Sequence, residues 1–292
     1  MSGNLKRRGT FYVLLCVFLW ALIPVVAKLG QLHLDNHQFL FWSSLVSLLV
    51  LASALFMTGQ HQAYLVYKPK DWLNLSVLGL LGTYAYYLFL YLGYAKAKGM
   101  EVLVIQYTWP ILIVIFSILI LKEGMTLRKF ISISLGFGGV IVMVGNGIEL
   151  DNLFVIALVG AGACCFALFS VLSKKVSHPA ISVVTYYFLV ATIASFLSMM
   201  YFSGFAWPSE SELFPILLNG ILVNGFSYLS WMLALRATDA SYLAPFTFIT
   251  PVLSVVYLVV FFDEPFILVY GIGLGLVLLG GLVNSIPTSS EV

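Results

Sequence analysis

Charge is what this chain has least of. Its 292 residues include 14 Lys and Arg and 12 Asp and Glu, 9% of the total, where a soluble domain carries roughly 25%. That shortage excludes the polar skin a soluble fold of this size requires, so most of the surface must face lipid. The net charge of +2 excludes a strong electrostatic attraction to nucleic acid. Cysteine is scarce too. Cys16, Cys164 and Cys165 each lie inside an apolar run, which excludes a disulfide framework. Histidine is limited to four residues. His33 and His37 have metal-ligand spacing but fall in a short connection, and no metal site is expected. No P-loop, GxSxG, HExxH or usable pair of carboxylates appears. The reading is therefore not an enzyme, with no cofactor.

What remains is apolar: 61% of the chain is hydrophobic. Lys6-Arg7-Arg8 precedes an apolar run that contains Trp20 and Pro24. That run is long for a signal peptide and shows no small-residue cleavage site, so it reads as a retained first span. A bilayer core of about 30 Å takes about 20 helical residues. Apolar runs between polar breaks give ten candidate spans, at about 10–29, 37–58, 71–94, 100–121, 127–146, 152–174, 180–203, 212–235, 240–262 and 266–286. Ten spans put both termini on one side. Lys6, Arg7, Arg8, Lys68, Lys70, Lys122, Arg128, Lys129, Lys174, Lys175 and Arg236 lie on that side, and only Lys28, Lys96 and Lys98 on the other. Positive charge marks the cytoplasmic face, so both termini are expected in the cytoplasm.

The two halves resemble each other. GMEVLVIQYTWPILIVIFSILILKEGMT (99–126) aligns without gaps on ASYLAPFTFITPVLSVVYLVVFFDEPFI (240–267). Pro110 falls on Pro251 and Glu123 on Glu264. WALIPVVAK (20–28) matches FALFSVLSK (166–174), and spans 5 and 10 are both glycine-rich. Five spans per half invert the second half relative to the first. The expected domains are residues 1–147 and 148–292, two inverted five-helix repeats of an all-α polytopic membrane protein. Such repeats place a shared cavity near the bilayer midplane and are typical of secondary transporters.

Ten short spans in two repeats, a proline in spans 4 and 9, and a glutamate closing each of those spans (ILKEG, FFDEP) resemble the drug/metabolite transporter superfamily, EamA type. The resemblance covers the whole chain. QYTWP (106–110) is similar to the Asn-Tyr-Leu-Trp-Pro stretch of bacterial aromatic amino-acid exporters, departing at its first and third residues. The resemblance implies a multi-pass carrier in the bacterial inner membrane, with a central cavity lined by spans 1, 3, 4, 6, 8 and 9 and no ATP-binding module.

Polar groups inside a membrane turn away from lipid, and a proline that frees a carbonyl usually lines a cavity. Gln106, Trp109 and Pro110 share one side of a helix at i, i+3, i+4, and Pro251 takes the same role as a kink in span 9. In span 3, Tyr84, Tyr87, Tyr91 and Tyr94 form a stripe, with Tyr94 read as an interface residue and Tyr86 pointing elsewhere, toward lipid or another helix. Span 8 offers Asn224, Tyr228 and Trp231, and span 1 offers Trp20. The candidate substrate-binding set is thus Trp20, Tyr84, Tyr87, Tyr91, Gln106, Trp109, Asn224, Tyr228 and Trp231, with Pro110 and Pro251 as hinges. Gly271 and Gly275, and Gly136 with Gly138 and Gly139, are read as allowing close helix approach.

An uncharged, amphipathic, aromatic cavity suits two substrate classes. Neutral or aromatic amino acids could stack on the rings. Choline or another quaternary ammonium, or a cationic drug, could sit in an aromatic cage. A lipid scramblase or a scaffold without a pathway is the contrasting class. The expected partners are a small-molecule substrate and the bilayer, without nucleic acid, and a monomer suffices. Every carboxylate (Asp35, Asp71, Glu101, Glu123, Glu149, Asp151, Glu210, Glu212, Asp239, Asp263, Glu264 and Glu291) falls at or near a span end, which points to facilitative rather than ion-driven movement.

Overall fold

The structure, a computed structural model, describes residues 3–97, 102, 105–144, 153–262 and 268–285. Lys98, Glu101, Glu149, Asp151, Asp263, Glu264 and Glu291, singled out above, lie outside the described residues. Within them every regular element is helical. Helices α1 (Gly3–Trp20), α2 (Ile23–Gly30), α3 (Asn36–Met57), α4 (Pro69–Gly79), α5 (Tyr86–Lys96), α6 (Trp109–Leu121) and α7 (Leu127–Val144) form the first half. The second half holds α8 (Leu153–Ser173), α9 (Ala180–Phe202), α10 (Glu210–Leu218), α11 (Ser227–Ala237), α12 (Ala240–Leu243), α13 (Ile249–Phe262) and α14 (Leu268–Ser285). Among the described residues, six helical stretches are long and apolar enough to cross a membrane: Asn4–Gly30, Asn36–Met57, Pro69–Lys96, Leu153–Ser173, Ala180–Phe202 and Glu210–Ala237. Shorter apolar helices stand at Trp109–Leu121, Ala240–Ser254 and Gly271–Val283.

Three expected spans are interrupted, and each break has a local cause. The first turns at Ala21-Leu22, because Pro24 lies in the first turn of α2. Pro110 likewise opens α6 after a turn at Tyr107-Thr108. In α13 Pro251 also lies in the first turn, following a 3-10 turn over Ala244–Phe248. Proline lacks the N–H that a first turn leaves unpaired anyway, so it fits there at little cost. The change of direction therefore falls before each proline, not within a continuous helix as the sequence suggests.

Span 3 and span 8 carry π-helical turns at Leu80–Ala85 and Asn219–Phe226. The offset that carries Pro110 to Pro251 is 141 residues, and it carries 80–85 onto 221–226, inside the second π segment. Wide turns of this kind are rare and recur at functional sites.

The main helix pairs join one half to the other: α3 with α9, α7 with α14, α1 with α11, and both α5 and α6 with α8. Matching carboxylates fix the ends. Asp71 in the first turn of α4 accepts the Lys68 N–H at 2.8 Å and lies 3.4 Å from His178 Nε2 of the second half. Glu212, at the offset of 141 from Asp71, accepts Ser209 N–H and, at 2.9 and 2.8 Å, the N–H groups of His33 and Leu34 of the first half.

The glycine reading needs correction. A Cβ on Gly139 would lie 2.7 Å from the Gly273 carbonyl, one on Gly280 2.8 Å from the Ser132 carbonyl, and one on Gly136 2.4 Å from the Phe248 ring. Gly139 and Gly280 hold backbones close, and Gly136 makes room for the Phe248 ring. Gly138, Gly271 and Gly275 would meet nothing within 4 Å, so they face away from the helix contact. The seam between α7 and α14 is set by Gly139 and Gly280 instead.

Candidate functional site

The breaks described above converge on one small cavity between the halves. Residues before and inside the α6 turn contribute Gln106, Tyr107 and Trp109. The start of α5, just after the first π segment, contributes Tyr86 and Tyr87, and the α1–α2 bend contributes Trp20 and Ile23. Only three lining residues, Phe166, Tyr228 and Thr250, come from the second half. The cavity volume is about 10 Å³, close to the least that admits one water. That space is too small for an organic solute.

Rings fill the middle. Trp20 meets Trp109, Phe166 and Tyr228 edge-on at 6.1, 5.7 and 6.2 Å. Trp109 meets Phe166 at 5.0 Å, and Tyr86 lies 4.7 Å from Phe166. Aromatic pairs prefer such edge-to-face and offset geometries. The polar ends of the rings are held. Trp20 Nε1–H donates to Ser227 Oγ at 2.7 Å. Gln106 Nε2–H donates to Tyr86 Oη at 2.8 Å, and Tyr94 O–H donates to Gln106 Oε1 at 3.4 Å. Tyr228 O–H crosses between the halves to the Gly82 carbonyl at 2.8 Å. Among the described residues, none that lines the cavity carries a charge.

Of the nine sequence candidates, Trp20, Tyr87, Gln106, Trp109 and Tyr228 line the cavity. Trp231 is buried one layer behind, tilted against Trp20 at 5.4 Å, with Nε1–H on Ser170 Oγ at 3.0 Å. Tyr91 is also one layer back, between Phe39 and Tyr87. Asn224 is buried in the second π segment with its Oδ1 unpaired, outside the lining. Tyr84 is half-buried within the first π segment and also outside it.

Tyr86 requires a correction. Of the two alternatives read for it, lipid or another helix, it takes the second, packing on Phe166 of α8; but it also lines the cavity and holds Gln106, which the reading missed. The π turn just before it changes the phase that a steady 100° per residue assigns. Phe166 was visible as the repeat mate of Trp20. Tyr107 and Thr250 flank the two prolines, so the motif carried them; the turn at 107–108 is what brings Tyr107 inward.

A second polar cluster lies at the α6–α7 connection. Glu123 Oε1 accepts Lys174 Nζ at 3.0 Å and Ala240 N–H at 3.1 Å, and Oε2 accepts Ser241 N–H at 2.9 Å. Lys174 also donates to the Thr238 carbonyl at 2.6 Å and lies 3.7 Å from Asp239. Burial pushes the Glu123 pKa up, but the Ser241 hydrogen bonds and the Lys174 charge outweigh it, and the net value is lowered. Glu123 thus ties the α6–α7 connection to the backbone at the start of α12 and to Lys174.

Apolar helices of membrane-spanning length, packed around a ring-lined centre, define a polytopic membrane protein. The chain matches the EamA-like transporter family at residues 7–145 and again at 153–286, and it belongs to that family. It is a multi-pass transporter of the bacterial inner membrane. An aromatic amino acid exporter, YddG of Ancylobacter novellus, is 27% identical over 63% of this chain and 66% of its own length, just under two thirds. An uncharacterized transporter of Archaeoglobus fulgidus is 25% identical over 83% of this chain and 85% of its own. YetK of Bacillus subtilis, another uncharacterized transporter, is 26% identical over 96% and 88%. A solved crystal structure shares the fold with a TM-score of 0.85 at 22% identity, covering 95% of this chain and 97% of that one.

Proposed function

We propose that this chain moves neutral amphipathic solutes, aromatic amino acids foremost, by alternating access through the central cavity. The observation that carries the reading is the lining itself: tryptophan, tyrosine and phenylalanine rings beside Gln106 and Thr250, with no charged side chain among them. The family and the name of one relative support it. Residues 1–147 and 148–292 then act as two inverted five-span units, ten spans in all, with both termini cytoplasmic. The units rock about the breaks before Pro110 and Pro251. Direction follows the solute gradient, which makes the protein an exporter where the cell accumulates the solute.

The test is uptake into proteoliposomes containing the purified protein. Saturable entry of L-tryptophan or L-phenylalanine, with little entry of choline, supports the reading. Choline entry alone would put a quaternary ammonium in the aromatic cage, and lipid scrambling without solute entry would make the protein a scramblase. Topology has its own test. In intact cells an impermeant thiol reagent should spare Gln62→Cys and label Ser211→Cys, both exposed positions; the reverse pattern overturns the orientation.

A further inference from the structure

The two halves do not furnish the cavity alike. At the offset of 141 residues, Pro110 meets Pro251, Tyr87 meets Tyr228 and Trp109 meets Thr250. A ring therefore stands on one wall where a hydroxyl stands on the other. Thr250 is 2% exposed and lines the cavity, and its Oγ1 faces the Tyr107 hydroxyl without closing a well-formed hydrogen bond. Buried hydroxyls are nearly always paired, and an unpaired one is costly to keep. The neighbouring Gln106 amide spends one of its two Nε2 N–H groups on Tyr86 Oη and its Oε1 on the Tyr94 O–H. Thr250 is thus a lining group placed to receive a polar ligand.

We propose that Thr250 reads the head of the solute, donating its O–H to a carboxylate while Trp20, Trp109 and Phe166 grip the ring. This rests on the amino-acid reading above and assigns the carboxylate to a residue. Because none of the described lining side chains is charged, a buried solute there must balance its own charge. A zwitterion does so; its ammonium can turn to the tyrosine hydroxyls and ring faces. The asymmetry at this pair of positions then has a use: Trp109 of the first half grips the flat apolar body, and Thr250, its counterpart in the second half, takes the acid.

The experiment compares two probes on three proteins in proteoliposomes. L-tryptophan carries ring and carboxylate; tryptophol, 3-(2-hydroxyethyl)indole, carries the ring with neither charge and is read as a competitor of tryptophan uptake. Thr250→Val keeps the shape and removes the hydroxyl, and Thr250→Ser keeps the hydroxyl. The valine variant should raise the KM for L-tryptophan about tenfold, the worth of one hydrogen bond to a charged group, and leave the inhibition constant of tryptophol within about twofold. The serine variant should stay close to the unsubstituted protein on both. An equal loss for both probes, an unchanged KM, or a serine variant as poor as the valine one overturns the assignment. If the unsubstituted protein takes up no aromatic amino acid, the reading beneath the assignment falls and the assignment with it; normal uptake with an indifferent valine variant overturns the assignment alone.

Discussion

The Tyr228 hydroxyl of the second half donates to the Gly82 carbonyl of the first across 2.8 Å. Both residues belong to or adjoin a π segment, so the bond ties the two irregular turns together beside the cavity. Gly82 leaves room for this packing, since a Cβ there would come within 2.1 Å of the Phe169 ring. Tyr228→Phe should cost about 1 kcal/mol of stability and slow transport, because the two halves lose a fixed reference. Tyr67→Phe is the control. It removes a hydrogen bond of equal length to Ser182, 2.8 Å, away from the cavity lining. Thermal unfolding should fall alike for both, with transport affected only at Tyr228. Equal transport losses would reduce the Tyr228 bond to a folding contact.

Tyr86 gives a test of the corrected lining. Tyr86→Phe keeps the ring on Phe166 but leaves Gln106 Nε2 without its acceptor. The freed amide can compete for the solute head, so substrate affinity should change several-fold while stability falls by about 1 kcal/mol. Trp109→Ala and Tyr87→Ala should lower affinity about tenfold or more, since one stacked ring is worth roughly 0.5–1.5 kcal/mol beyond its buried area. If Tyr86→Phe leaves KM unchanged in proteoliposomes, its place in the lining has no bearing on binding.

How much of this was legible in the sequence depends on what each feature rests upon. Apolar runs and the scarcity of charge need only composition, and they carried the all-helical membrane class. Internal similarity placed Pro110 over Pro251 and Trp20 over Phe166, so residues near those pairs were found. Phase arguments assume one continuous α-helix. They failed for Tyr86 and Tyr84, where π turns intervene, and they missed that Tyr107 turns inward at the break before Trp109. Glycine spacing failed for another reason: Gly271 and Gly275 share a face, but spacing alone does not say which face meets α7.

The glycines therefore make a direct stability test. Gly139→Ala would press a methyl group onto the Gly273 carbonyl, and Gly280→Ala onto that of Ser132, with Cβ separations of 2.7 and 2.8 Å. Backbone cannot yield as a side chain can. Each variant should lose about 1–3 kcal/mol. Gly271→Ala and Gly275→Ala meet open space and should stay within about 0.5 kcal/mol. Unfolding midpoints in one detergent rank the four, and a large loss at Gly271 would put the α7–α14 contact on the wrong face.

Glu123 makes stability depend on pH. Its folded pKa is lowered from the ordinary 4.5, because hydrogen bonds from Ser241 and the Lys174 charge outweigh the upward push of burial. A depressed carboxylate stabilises the fold fully above its unfolded pKa, and the contribution is lost as pH falls through the folded value. The difference in unfolding temperature between the unsubstituted protein and Glu123→Gln should therefore be constant from pH 7 down to about 5 and shrink below 4.5. Removing the carboxylate also leaves Lys174, 23% exposed, facing only Asp239 and a carbonyl. A difference that grows toward low pH would mean that the ionised form is not what holds Ala240 and Ser241.

The last expectation concerns the driving force. Ion-driven carriers commonly hold a carboxylate or histidine deep in the membrane, since some group must change charge or bind the ion. Among the described carboxylates, Asp35 and Asp239 cap helices, Asp71, Glu210 and Glu212 stand in first turns, and Glu123 lies between helices. His37 is in the first turn of α3 and His178 in a connection. The cavity offers tyrosine hydroxyls, which titrate near pH 10 even when exposed and so hold their protons at pH 7. Sodium would have to use neutral oxygens, such as carbonyls freed at the breaks before Pro110 and Pro251. On this reading the carrier is facilitative. Proteoliposomes should equilibrate L-tryptophan with no imposed ion gradient, at an initial rate that varies little between pH 6 and 8. Accumulation above the external concentration, driven by an imposed proton or sodium gradient, would sink the idea. Glu101, at the expected outer mouth of span 4, would then be the first residue to replace with glutamine, and loss of accumulation with equilibration intact would locate the coupling there.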